Sequence, residues 1–322
     1  MQSKVSALAI AVALATLGTQ AQAQGTYPSR PVRLIVPLAA GGGMDTVARA
    51  LSLKLTEQVN QTIIVDNRGG GGGSIGAELT ASAPPDGYTL IMMSATSVIH
   101  PLLYKARYDV TRDFAPISQV TTQPYVIVVN TALPIKSVSE LVTYAKANPA
   151  KLNFASSGNG SLIHLTGELF KIATGTNLTH IPYKGIGAAY PDLIAGNIQL
   201  TFASIISGLP HIRAQRIRAL AVTGSKRAKA APELPTVAEM GVKGFSVSQW
   251  YGVFAPAKTP RAIVDKVHDD IVKALPQPEV GVRLAADGAE PVGSTPQEFA
   301  VHVRDEREKW AKVIKQTGIK GD

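Results

Sequence analysis

The stretch VRLIVPLAAGGGMDTVARALSLKL (32–55) decides the fold. Its first six residues, VRLIVP (32–37), form an apolar, β-rich run of the kind that makes a buried strand. Ala39, Ala40, Gly41, Gly42 and Gly43 then break it as a loop. Asp45 offers an N-cap, and Val47, Leu51 and Leu55 recur at helical spacing, so a helix follows. Strand, glycine loop, helix is the unit.

The unit returns along the chain. TIIVDN (62–67) predicts a second strand, followed by the glycine run 69–73 and a helix marked by Ile75 and Leu79, which the turn Pro84-Pro85-Asp86-Gly87 closes. YTLIMMS (88–94) predicts a third strand, ending in Ser94, Ala95, Thr96 and Ser97. PYVIVVN (124–130) is a strand, and Ser137 with Glu140 forms a capping box for a helix to Asn148. KLNFASS (151–157) is a strand, Gly158-Asn159-Gly160-Ser161 a third glycine loop, and Leu162, Leu165, Leu169 and Ile172 the helix behind it. IQLTFAS (198–204) and IRALAVTG (217–224) are further strands, and the proline-bearing 230–241 reads as a linker. Two helices close the chain. Thr259-Pro260 begins one; Thr295, Pro296 and Glu298 begin the other, whose stripe is Phe299, Val303, Trp310 and Ile314 and whose stop is Gly318. Strands alternating with helices predict an α/β fold with a largely parallel sheet.

Lys4, the apolar run 5–18 and Ala21-Gln22-Ala23 make a secretory signal peptide over 1–23, cut after Ala23. The run is short for a membrane span. The mature chain is therefore expected to be exported, and periplasmic in a cell with two membranes. It has no cysteine, so neither a disulfide nor a thiolate metal site supports it. A chain of 322 residues with 45% hydrophobic residues has length for two domains held by their cores. Removing Lys4 takes the net charge from +9 to +8, a balance that favours anionic partners. The basic residues are scattered, without the dense tract that nucleic acid calls for.

Three glycine loops before three helices point to an anion site. The first N–H groups of a helix lack internal partners, the dipole adds positive charge, and glycine lets a ligand approach the backbone. Two sharper motifs overlap at VDNRGGGGGSIG (65–76). Gly71, Gly73 and Gly76 fit the dinucleotide fingerprint, but no acid stands about 20 residues on, where the ribose needs one. Gly72, Ser74 and Gly76 fit the nucleophile elbow of a serine hydrolase. Its histidine would come from 100, 164, 180, 211, 268 or 302, none in a triad context. No spacing suits a metal, and no cofactor is expected. An exported hydrolase using Ser74 stands as the rival to a binding protein.

The motifs in order resemble the Bug/TctC family of extracytoplasmic solute receptors. The resemblance spans the mature chain, through YPSRPVRLIVPLAAGGGMDTVAR (27–49), VDNRGGGGGSIGAE (65–78), DGYTLIMMSATSVIHPLLY (86–104), NFASSGNGSLIHLTGELF (153–170), HIPYKGIGAAYPDLIAGNIQLTF (180–202) and WYGVFAPAKTP (250–260). It implies a two-domain type II periplasmic binding protein with a ligand cleft between the domains. Residues 26–124 plus 245–322 would form domain 1, and 125–244 domain 2. It implies a non-catalytic monomer that binds a small carboxylate and delivers it to a tripartite tricarboxylate transporter permease. The implied ligand-binding residues are Ala39, Ala40, Gly41, Gly42, Asp45, Gly72, Gly73, Ser94 and Ala95 in the first domain. In the second they are Ser156, Ser157, Gly158, Gly160, Ser161, His164, Tyr183, Lys184, Ala203 and Ser204. The family often carries an Asp-Asn pair where Ala203-Ser204 stands. Its absence, with the bulk of Met44, turns the expectation from an amino acid toward a di- or tricarboxylate or an aromatic, nicotinate-like carboxylate.

Overall fold

The structure, a computed structural model, describes residues 27–286 and 288–321. The export signal and its cut after Ala23 lie outside the described residues. The opening stretch forms strand β1 (Val32–Val36) and helix α1 (Gly43–Val59). The pattern then repeats as β2 (Ile63–Asn67) with α2 (Ser74–Ala81), and β3 (Thr89–Ser94) with α3 (Ala95–Leu103). After the long strand β4 (Phe114–Asn130) come α4 (Val138–Ala147), β5 (Asn153–Ser156), α5 (Leu162–Thr174) and β6 (Thr179–Pro182). The chain continues through α6 (Tyr190–Ala195), β7 (Leu200–Ser204), α7 (Ile205–Arg213), β8 (Ile217–Val222) and β9 (Ser248–Pro256). It ends in α8 (Arg261–Ala274), α9 (Pro278–Ala286), the short β10 (Glu290–Pro291) and α10 (Pro296–Thr317).

Strands pair in the order β2-β1-β3-β9-β4-β7-β5-β6, with β8 and β10 also on β4. Pairing is parallel at the two flanks, β2-β1-β3 and β7-β5-β6. In the middle β9 runs antiparallel to β3 and β4, and β7 and β8 antiparallel to β4. The largely parallel sheet expected from the alternation is thus corrected. The two strands that carry the chain from one flank to the other run against their neighbours. β4 makes the change: Phe114–Pro124 pairs with β9, and Tyr125–Asn130 with β7 and β8. Pro124, with no N–H to donate, stands at the changeover. We call the β1–β3 flank the first lobe and the β5–β7 flank the second.

The cores explain the strand sequences. Val126, Ile127, Val128 and Val129 are fully buried on both faces of β4, which is why PYVIVVN shows no alternation. Leu34, Val36, Leu51, Leu55, Val264, Val267 and Ile271 share one cluster between the first-lobe sheet and α1 and α8. α10 lies across α3, β4 and α5, so it touches both lobes. Its Phe299 and Trp310 are fully buried, and burying each such ring contributes roughly 1.5–3 kcal/mol. The Thr295/Glu298 capping box forms as read, and Gly318 closes the helix at φ 69°.

Five local readings change. Asp45 is not the cap of α1; Gly42 is. The exposed side of α2 carries Ile75, while Gly76, Ala77 and Thr80 are buried, because small residues let α2 approach Pro37. Glu140 reaches the N–H of Lys136, so the Ser137 box has only its forward arm, Ser137 Oγ accepting from Glu140 N–H. The stretch 230–241 is packed: Thr236 bridges Val222 and Val237 is fully buried. Thr259 does not cap α8 with its side chain, since its hydroxyl is buried without a partner. Among the described residues no helix is long and apolar enough to cross a membrane.

Candidate functional site

The loops Leu38–Gly42, Gly69–Gly73 and Ser94–Ala95 follow β1, β2 and β3, so all three leave the carboxyl ends of neighbouring parallel strands. Ligands of open α/β sheets bind there. Ala39, Ala40, Gly41, Gly42 and Gly72 are exposed, and Gly73 is buried against Pro37. Asp45, 4% exposed, ties two loops together. Its carboxylate accepts from the Gly41 N–H (2.9 Å), Arg49 Nε (2.9 Å) and Asn67 Nδ2 (3.0 Å), and Asn67 also donates to the Leu38 carbonyl. Burial pushes this carboxyl up, but the bonds from Arg49, Gly41 and Asn67 outweigh it and hold the carboxyl below its usual range. Ser94 and Ala95 are buried, with Ser94 spent in a capping box with Ser97, so their side chains offer a ligand nothing.

The second-lobe loop is built differently. Ser156 is fully buried. Its Oγ lies 2.6 Å from His180 Nε2, accepts from the Gly158 N–H (3.1 Å) and lies 3.0 Å from the Gly158 carbonyl. One assignment satisfies all three: His180 Nε2–H donates to Oγ, and Oγ–H donates to the carbonyl. His164 Nδ1 accepts from the Gly160 N–H (3.1 Å), which places its own proton on Nε2, 3.9 Å from Glu168 Oε1. The two imidazoles stack at 3.6 Å and 8°. Burial holds both well below the ordinary histidine range, at about 4, helped by Lys171 and, for His180, by the neighbouring ring. Ser161 caps α5, its Oγ accepting from the His164 N–H. The N–H groups of Leu162 and Ile163 then have no intrahelical acceptor. Ser157, Gly158 and Ser161 are half-buried, at the surface of this construction.

Tyr183 donates its hydroxyl to Asp192 (2.6 Å), and its own N–H to the Ser156 carbonyl; burial and that carboxylate push the phenol up to about 12. Lys184 is exposed and makes no ion pair among the described residues. Ala203 is fully buried within β7, and Ser204 is the cap of α7, bonded to Ser207. So Ser156, His164, Ser204 and Tyr183 support the loops from behind, and their polar atoms are already engaged.

Helix α3 brings the two lobes' glycine loops to one place. A Cβ on Gly72 would lie 2.5 Å from the His100 ring, which therefore rests directly on that glycine. His100 stacks on Tyr104 at 4.8 Å. A Cβ on Gly160 would lie 2.6 Å from Leu103 Cδ1 and 3.9 Å from the Tyr104 hydroxyl. The Gly69–Gly73 loop, His100, Tyr104 and the Gly158–Ser161 loop form a continuous row. The sequence reading assigned no binding role to His100, Leu103, Tyr104, His180 or Asn67. His100 and Tyr104 are four apart on one helix face, a legible signal; the others are brought in by the tertiary fold alone.

Ser74 hydrogen-bonds to no histidine among the described residues, and His100 Nδ1 is buried without an acid to orient it.

Glycine loops at strand ends, joined across two lobes by one helix, define a two-lobed α/β ligand-binding protein. Comparison with known proteins then gives the family. Residues 47–319 match the tripartite tricarboxylate transporter family receptor, TctC, and the chain belongs to this Bug/TctC family of solute-binding receptors. It is 38% identical over 315 residues to Protein BugT of Bordetella pertussis, covering 97% of each chain. It is 40% identical over 307 residues to a UPF0065 protein of Pseudomonas sp. strain P51, covering 95% of this chain and 91% of the other. An R. palustris protein solved with adipate is 38% identical with a TM-score of 0.75, over 91% of this chain and 99% of its own. MatC from Rhodopseudomonas palustris, solved with malate, is 32% identical with a TM-score of 0.71, over 89% and 100%. A TctC solute-binding protein from Polaromonas, solved with no ligand, is 27% identical with a TM-score of 0.84, over 90% and 100%. Receptors of this family are periplasmic binding proteins, and the fold is theirs.

Proposed function

We propose that this chain captures a small carboxylate between its two lobes and closes on it. The observation that carries the reading is the meeting of Gly72, His100, Tyr104 and Gly160, which sets anion-suited loops of both lobes on either side of one helix. On the second lobe the carboxylate is held by backbone N–H groups at the start of α5 and by the hydroxyls of Ser157 and Ser161, with Lys184 adding charge. On the first it meets the exposed backbone of Ala39–Gly42 and Gly70–Gly72. Adipate and malate in the similar structures support the ligand class.

The lobes divide at 124/125 and near 245, where β4 changes partners and β9 begins. Closure would bring the loops of both lobes onto the ligand from opposite sides. Ligand would then stabilise the closed arrangement by its extra contacts with both lobes. The closed monomer, exported by its cleaved signal, docks on a membrane permease of the tripartite type. No step is catalytic.

Titration calorimetry with adipate, malate, citrate, benzoate, nicotinate and glutamate, paired with small-angle scattering, tests this. Binding of a carboxylate with a fall in radius of gyration is expected. Silence across the panel, together with covalent labelling of Ser74 by a phosphonate probe, overturns it in favour of the hydrolase.

A further inference from the structure

The first lobe exposes apolar side chains beside its glycine loops. Leu38 is 44% exposed and Ile75 53% exposed. Both flank one glycine run: the backbone of Leu38 lies against Gly69, and the Ile75 side chain against Gly70. Leu103 and Tyr104 continue this surface toward Gly160. The charged side chains bonded to these loops are already paired. Asp45 serves Gly41, Arg49 and Asn67; Arg49 serves Asp45 and Asn67; Arg68 is bound to Asp66. His100 is held toward its neutral form by burial. The hydroxyls of Ser74, Thr96 and Tyr104 and Nδ1 of His100 are neutral polar groups there without a hydrogen-bond partner among the described residues. Lys184, a cation with no ion pair among the described residues, belongs to the second lobe.

The side chains are unevenly spread: hydroxyls and a lysine stand at the second lobe's loop, while the first lobe's loops offer backbone N–H groups flanked by apolar side chains. We infer that the ligand is a carboxylate with an apolar body, a ring or a methylene chain, whose body lies against Leu38, Ile75 and Tyr104. The inference rests on the carboxylate-receptor reading and narrows it. A hydroxylated acid such as malate or citrate would bring strongly hydrated groups to a wall that repays few of their lost water contacts. An amino acid would bring an ammonium, and the carboxylates tied to these loops, Asp45 and Asp66, are already paired. An apolar body would cover Leu38 and Ile75, gaining roughly 25 cal/mol per Å² of apolar surface removed from water.

The test is a matched calorimetric series on the mature chain, adipate and benzoate against malate, citrate and glutamate, repeated with Leu38→Ser and Ile75→Ser. Both positions are exposed, so the variants should fold. Adipate or benzoate should bind at least tenfold more tightly than malate, and the double variant should lose most of that preference while its residual binding of malate changes less than threefold. Tighter binding of malate, citrate or glutamate overturns the inference and leaves the receptor reading standing. So does an unchanged preference in the double variant, which would assign the exposed pair to another partner such as the permease. Failure of every carboxylate to bind would instead overturn the receptor reading itself.

Discussion

The loops Gly69–Gly73 and Ser156–Ser161 share one plan, a strand running into glycines and then a helix, yet they are mechanically opposite. In the first, four consecutive glycines hold positive φ, from 56° to 114°, and Gly70–Gly72 are exposed. It bonds little beyond itself, through the Gly73 N–H to the Gly70 carbonyl. In the second, Ser156, His164 and His180 occupy its polar groups from beneath, and the two stacked rings fill the space under it. One loop has its shape imposed; the other owes its shape to glycine. A grip needs the first property, since donors already aimed lose no ordering entropy on binding. A wall that adapts to the ligand's body needs the second.

Acid should separate the two most strongly. The unfolded chain takes up histidine protons near 6.5, while His164 and His180 in the fold take them up near 4. Between these values the unfolded state binds more protons, so their contribution is fully present above about 6.5 and is lost as pH falls toward 4. The loss is on the order of 3 kcal/mol for each ring. Protonating His164 at Nδ1 also expels the Gly160 N–H. Urea midpoints from pH 7 to 4 check this, and His164→Phe should flatten part of the slope.

Packing under the second loop comes next. A Cβ on Gly167 would sit 2.2 Å from the Phe154 ring, which itself lies 5.0 Å from His180. Gly167→Val should cost about 2–3 kcal/mol by overpacking, read as a lowered denaturation midpoint. Ser156→Ala leaves the Gly158 N–H and His180 Nε2 without their buried partner, at about 1–3 kcal/mol, and should weaken carboxylate binding more than tenfold by calorimetry. In the first loop Gly72→Ala should cost only about 1 kcal/mol, from its φ of 64° and the push on His100, whose side chain can turn away. Ser74→Ala, which removes no hydrogen bond, should shift stability by less than about 0.5 kcal/mol. A Ser74→Ala effect as large as that of Ser156→Ala would erase the distinction between the loops.

Much of the first-order structure was legible. The run 32–37, the stripes at 162–172 and 299–314 and the box at Thr295 become the elements they predict, because each is set by neighbours in sequence. The misreadings share a cause. Asp45 looks like a helix cap until Asn67 and Arg49 claim it, and 230–241 looks like a linker until Val222 pairs with it. Likewise Ser156 and Ser74 stand alike beside glycines, and only burial tells the engaged hydroxyl from the free one.

By itself the sequence determined that strands alternate with helices, that glycine loops precede three of the helices, and that the chain carries export and receptor motifs. These follow from periodicity, turn chemistry and short-range capping, which act over a few residues. Only the tertiary structure decided which strands run antiparallel, which loop is rigid, and that His100 and Tyr104 stand between the two loops. Those depend on groups 24 to 88 residues apart, such as Ser156 with His180 or Gly72 with Gly160, being pressed together by the burial of cores to which neither belongs.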